Sequence, residues 1–203
     1  MKSTLLFLPA LLLSGALHAA DIVRYEAQPG GGKMTLEGKS TAHEWKVECG
    51  AIGGYIEADA SFPESATSST KPKIEVTIPV RQLKSGKKAM DTRMLSEMNQ
   101  PAHPKIEYHV LDLKPKGAPS GGKAEFDAIG ALTVSGVTRT NTMSVTITRL
   151  DKTKLMVTGA IQVRMTDFGI KPPAFDVPVL GGLMKTDDNV KIAFEWTPEV
   201  EKK

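Results

Sequence analysis

The side chains able to move protons, attack carbonyls or bind metals are few, and their spacing suits none of these tasks. His43 and Glu44 are adjacent, and neighbours on a strand point to opposite faces, so the two cannot share a proton directly. His103 lies between Pro101 and Pro104 in a turn, and His109 alternates out of phase with Tyr108 and reads as solvent-facing. These three histidines lack metal-ligand spacing. Cys49 is the single cysteine, which excludes an internal disulfide. It occupies an apolar strand position where burial raises its pKa and quiets the thiol. A G-x-S-x-G nucleophile elbow is absent. The reading is therefore a protein with no catalytic residue, no metal ligand and no cofactor. Two polar residues remain of interest, Asp167 as a cap for the turn opening DFGI and Arg139 as the partner of a carboxylate near a hairpin tip. Both are also candidates to hold a polar head group.

What the chain offers in quantity is apolar surface with a regular period. Trp45, Val47 and Cys49 alternate with Lys46 and Glu48, and Ile74, Val76 and Ile78 alternate with Glu75 and Thr77. Such alternation marks half-buried strands. It recurs at Met34 and Leu36, from Ile52 to Phe62, at Ile106, Tyr108 and Val110, and from Phe126 to Val134. It continues from Met143 to Ile147, Leu155 to Met165, and Val190 to Trp196, which makes eight or nine strands. Each has a polar outer face, so no layer of helices covers the sheet. The apolar faces must meet one another in a sandwich or a closed barrel, and closure has the merit of removing sheet edges. The expected fold is all-β, an eight-stranded antiparallel lipocalin-like barrel with one short helix and a long partly helical loop. About eight strands enclose room that side chains can just fill, or that can hold one small ligand.

Small residues decide between those outcomes. Gly54, Ala58, Ala128, Gly130 and Gly159 fall on the apolar parity of three strands. Together they point to an interior the protein under-fills, although strand glycines also mark bulges and corners. Met90, Met94 and Met98, with Leu95 beside them, form a helical stripe over residues 90–98. That helix is expected to close one barrel end with an adaptable apolar face, or else to plug a dry core. Asp91 is expected to cap its start, and Pro101 and Pro104 end it. Residues 166–189 form a second candidate lid, rich in Pro and Gly, with Phe168, Ile170, Phe175, Val177, Val179 and Leu180.

Residues 1–20 stand apart. Lys2, the apolar run LLFLPALLL and small residues from Ala16 to Ala20 have the layout of a cleaved signal peptide. The run is too short to span a bilayer, which takes ~20 apolar residues. The expectation is an exported protein with no transmembrane segment after cleavage and one domain over residues 21–203. The formal charge of +3 falls by one without Lys2, too mild a surplus for nucleic acid. The basic cluster Arg81, Lys84, Lys87, Lys88 and Arg93 reads as a solvated loop.

Three stretches together resemble the YceI-like family. One is GALTVSGVTRTNTMSVTIT, residues 130–148, with its core in Gly130, Leu132, Thr133, Gly136, Val137, Thr138 and Arg139; the others are MTDFGI, residues 165–170, and the passage ending PKIEYHV. The chain departs from the family pattern in its opening strand, LEGKSTAHEWKV, and at Thr140–Asn141. The resemblance implies a periplasmic lipocalin-like barrel, paired as a homodimer, whose lumen holds a long isoprenoid or similar amphiphile such as a polyprenyl or quinone precursor. The residues expected to line it are Trp45, Met90, Met94, Met98, Ile106, Tyr108, Phe126, Leu132, Met143, Val145, Val157, Ile161, Phe168, Phe194 and Trp196. Two rivals stay open: an enzyme acting on an isoprenoid or acyl lipid, and a stress-related interaction protein with a dry core.

Overall fold

The computed structural model describes residues 21–65, 71–177 and 182–200. The leader over residues 1–20, and Val179 and Leu180 of the long loop, lie outside them. Alternating sequence becomes a curled antiparallel sheet. Its strands are β1 (Ile22–Glu26), β2 (Gly32–Lys39), β3 (Glu44–Cys49), β4 (Gly53–Asp59), β5 (Lys73–Pro79), β6 (Lys105–Pro115), β7 (Lys123–Val134), β8 (Val137–Arg149) and β9 (Leu155–Arg164), followed by β12 (Asn189–Trp196) and β13 (Glu199–Val200). A separate hairpin pairs β10 (Ala174–Val177) with β11 (Gly182–Lys185).

The main sheet has eleven strands in the order β13-β1-β4-β5-β6-β7-β8-β9-β12-β2-β3, not the eight expected. The surplus arises where ladders are interrupted. β1 and β2 are separated by residues 27–31, β3 and β4 by residues 50–52, and β12 and β13 by Thr197 and Pro198. Pairing resumes across each gap with the same neighbour, as β2 runs along β3 from Gly38–Trp45 to Met34–Cys49 and β1 then along β4 from Glu26–Tyr55 to Ile22–Asp59. Alternation in a sequence counts apolar runs, and it does not register where a continuous run loses its ladder.

The inward parity is the one the sequence displays. On β7 it carries Ala124, Phe126, Ala128, Gly130, Leu132 and Val134, with alternate residues less buried. One break was not visible: the register shifts between Val110 and Asp112 on β6. A bulge there reverses the faces beyond it, so that Leu113, and not Asp112, packs against the core, while Leu111 keeps the outward face and is 58% exposed.

The methionine stripe forms α1 (Lys88–Glu97), with Met98 as its C-cap. Asp91 does not cap it, because the N-cap is Lys87 and makes no side-chain cap bond. Asp91 Oδ1 instead accepts from the backbone N–H and the hydroxyl of Ser85, at 2.7 and 2.6 Å, and so fastens the preceding loop to the first turn. At the other end, Ser135 Oγ donates to the Met98 carbonyl at 3.1 Å, tying α1 to the β7–β8 turn. The 166–189 segment is more regular than expected. A 3-10 turn over Met165–Phe168 leads into the β10–β11 hairpin, where cross-strand pairing, not helical periodicity, supplies the order.

Candidate functional site: an apolar cavity under the methionine helix

Inside the curled sheet lies a cavity of about 590 Å³. Its wall is the inward parity of the strands. Met34 and Leu36 come from β2, Ile74, Val76 and Ile78 from β5, Met143, Val145 and Ile147 from β8, and Val190, Ile192, Phe194 and Trp196 from β12. The helix contributes Met90 and Met94, with Met98 at its end, and none of its own residues is fully buried. It therefore covers space and does not plug a filled core. The 3-10 turn and the hairpin region add Met165, Phe168, Ile170, Pro173 and Met184 at the same end.

Fourteen of the fifteen residues expected in the lumen line this cavity: Trp45, Met90, Met94, Met98, Ile106, Tyr108, Leu132, Met143, Val145, Val157, Ile161, Phe168, Phe194 and Trp196. Phe126 does not. It is 1% exposed and stacks on Phe62, with ring centroids 6.0 Å apart and planes at 24°, in a packed layer at the end opposite α1. Parity sends Phe126 inward, but parity carries no information on depth along the axis.

The glycines act differently from the expectation that they leave room. A Cβ on Gly38 would collide with the Trp45 ring, one on Gly130 with the Tyr108 ring, and one on Gly159 would come within 2.7 Å of Phe194. Each glycine is thus the bed for an aromatic ring from the adjacent strand, a cross-strand arrangement that restores packing glycine would lose. Gly54 has φ +119 and abuts the Glu75 backbone, so it serves the close approach of two strands and adds no space. Gly136, at φ +77, makes the β7–β8 turn.

Among the described residues, the charged groups of the lining gather at the α1 end. Ser40, His43, Lys87, Arg93, Glu97, Arg164 and Thr186 form the rim. Sequence reading missed them as a group because they lie in turns, on the helix and at strand ends, where no period connects them. Arg93 pairs with Glu97 at 2.9 Å, and Arg164 makes a two-pronged pair with Asp167 at 2.7 and 3.1 Å. The hydrogen bond from Arg164 holds the Asp167 carboxyl below its usual range. Asp167 therefore reaches the rim only through Arg164, and it makes no cap bond to the 3-10 turn. Arg139 is exposed, donates to its neighbour's carbonyl, Thr138 O, at 3.2 Å, and is not part of the wall. Neither residue expected at the head group meets the cavity.

Two further groups bear on the chemistry of the interior, Tyr108 in the cavity wall and Cys49 in the packed core. Burial pushes the Tyr108 hydroxyl up to about 12, and that hydroxyl donates to the Ala128 carbonyl at 3.3 Å. Burial likewise raises the Cys49 thiol, as its strand position implied. Among the described residues no three His, Cys, Asp or Glu side chains cluster as metal ligands, and no helix is long and apolar enough to cross a membrane.

The arrangement has room for one apolar chain, and solved structures share its fold. The solved structure of a polyisoprenoid binding domain from Saccharophagus degradans, implicated in plant cell wall breakdown, superposes with a TM-score of 0.67 at 14% identity, covering 88% of this chain and 99% of that one. BcnA of Burkholderia cenocepacia gives 0.65 at 16% identity, over 84% and 98%. The Campylobacter jejuni YceI protein gives 0.53 at 15%, over 77% and 85%. No curated protein sequence matches. The family profile of the YceI-like domain matches residues 25–197, and with the lipocalin-like curled sheet around its cavity, the chain belongs to the YceI-like family.

Proposed function

We propose that the protein is a periplasmic carrier that encloses the apolar chain of one isoprenoid or similar amphiphile, of the polyprenyl or quinone-precursor class. The observation that carries this reading is the cavity of about 590 Å³, walled by aliphatic, methionine and aromatic side chains and covered by α1. Each methylene moved from water into such a wall contributes ~0.8 kcal/mol. Association costs roughly 4–15 kcal/mol, so retention requires that most of a long tail be enclosed. The fourteen wall residues named above are then the ligand contacts. That the Saccharophagus neighbour is a polyisoprenoid binding domain supports the isoprenoid class.

The remaining parts of the reading rest on other observations. Counting β1 with β2, β3 with β4, and β12 with β13 as three interrupted strands gives eight, with β1 and β2 flanked by β13 and β12, which supports an eight-stranded closed barrel. The sequence of residues 1–20 supports export, and the family resemblance supports a homodimer. The protein acts by binding and not by turnover, without a cofactor.

The direct experiment is purification without detergent, extraction with organic solvent and mass spectrometry of the extract. The expected result is one long-chain isoprenoid or acyl amphiphile per folded chain. Folded protein that yields no stoichiometric lipid, and takes up none from polyprenol-loaded vesicles, overturns the proposal.

A further inference from the structure

Among the described residues, two hydrogen-bond donors of the cavity wall have no acceptor. The indole Nε1 atoms of Trp45 and Trp196 are buried and find no partner, and both side chains line the wall. A buried N–H left unpaired carries the full cost of its lost hydration, and such groups are rare enough to require an explanation. Their positions differ. Trp45 faces Gly38 and Trp196 faces Gly32 across β2, six residues apart on one face, which is roughly 20 Å along a strand. Trp45 is half-buried near the rim. Trp196 is 2% exposed at the far end, with Val157 opposite it on β9, Ile147 beyond on β8, and Ile52 against Gly32.

The rim, by contrast, satisfies its own charges. Arg93 has Glu97 and Arg164 has Asp167, while the exposed Lys87 and His43 meet solvent. Unmet hydrogen-bonding capacity therefore resides in the two indoles, Trp45 Nε1 near the mouth and Trp196 Nε1 at the floor of the cavity. The aliphatic surroundings of Trp196 exclude an ionised partner, because one N–H cannot offset the desolvation of a charge.

We infer that the guest enters with a neutral oxygen acceptor, of the ketone, quinone or amide carbonyl class, leading, and that this oxygen accepts a hydrogen bond from Trp196 Nε1 while the tail runs back toward the methionines of α1. The inference rests on the carrier reading above and adds the chemistry and orientation of the cargo.

The chain has only two tryptophans, so its ¹H–¹⁵N spectrum shows two indole resonances, assigned by Trp45→Phe and Trp196→Phe. The probes are dodecan-2-one and tridecane, matched in heavy atoms and presented from cyclodextrin. Both should perturb the methionine methyl signals. Only the ketone should move the Trp196 indole proton downfield, and the ratio of ketone to alkane affinity should fall about tenfold in Trp196→Phe. If both probes bind and the Trp196 proton responds to them alike, or the ratio survives the substitution, the inference is overturned and the carrier reading stands. If neither probe moves a methionine methyl, the carrier reading fails and the inference with it. Should Trp196→Phe fold poorly, Trp45→Phe alone assigns both signals, and the response of the unaltered protein decides.

Discussion

The two ends of the curled sheet are built on opposite plans. At the end away from α1, Tyr25, Ile56, Phe62, Phe126 and Leu155 are each 0–5% exposed, and Phe62 stacks on Phe126. Arg149 fastens this layer, donating to the Tyr25 hydroxyl at 3.3 Å, to the Ala60 carbonyl at 2.8 Å and to the Phe62 carbonyl, with Glu64 at 3.7 Å. At the α1 end the apolar residues Met90, Met94 and Leu95 are only half-buried, and charged groups ring the opening. The same alternating strands supply both ends. The difference teaches that packed core and open space are separated along the axis of one sheet: close packing fills one end, and its absence at the other leaves the cavity.

Substitutions at the two ends should therefore fail in different ways. The largest effect belongs to Phe126→Ala, which removes a fully buried ring from the packed layer. It should cost ~3–5 kcal/mol, read as a lower denaturant midpoint, with ligand lost only as the protein unfolds. If the midpoint holds and only binding suffers, the division between the ends is wrong.

Met94→Asp tests the other end. A carboxylate facing the cavity from a half-buried helix position should reduce retention of a polyprenol at least about tenfold while lowering stability by less than ~1 kcal/mol. Extraction after a fixed wash gives the first quantity and chemical denaturation the second. Equal losses of both would make α1 a structural plug.

The smallest effect comes from the wall between the ends. The Tyr108 hydroxyl stands at about 12 against an ordinary 10.0, so the unfolded chain releases this proton first. Between those values the native state holds more protons, and stability must fall as pH rises. The contribution is fully present below about pH 10. Denaturation at pH 9 and pH 11.5 should show the fall in the unaltered protein and a smaller one in Tyr108→Phe. An identical fall in both would mean that the ring is better hydrated than its place in the wall implies.

Much of this was legible in the chain. Period-two alternation in residues 74–78 and 124–134 located strands and their inward faces, and the four-residue methionine spacing located α1 to within two residues at its start. What escaped notice has physical causes. Phe126 was placed in the cavity because alternation reports which face a residue takes and not how far along the axis it lies. The bulge after Val110 left no mark in composition, so the inward turn of Leu113 could not be read from the alternation of Ile106, Tyr108 and Val110. Asp167 and Arg139 stood out by motif, yet the rim is made by Arg164, Arg93 and His43, which meet only when turns distant in sequence converge. The unpaired indole of Trp196 could not have been found at all, since an unmet donor is a property of surroundings.

The aromatic rings bedded on Gly38, Gly130 and Gly159 set the calibre of the bore. Because the backbone beneath each ring stays in register, one methyl added at Gly130 would tilt Tyr108 inward and narrow the gauge without re-pairing a strand. The width of the cavity is thus adjustable at three positions, one carbon at a time, on a frame that need not be rebuilt.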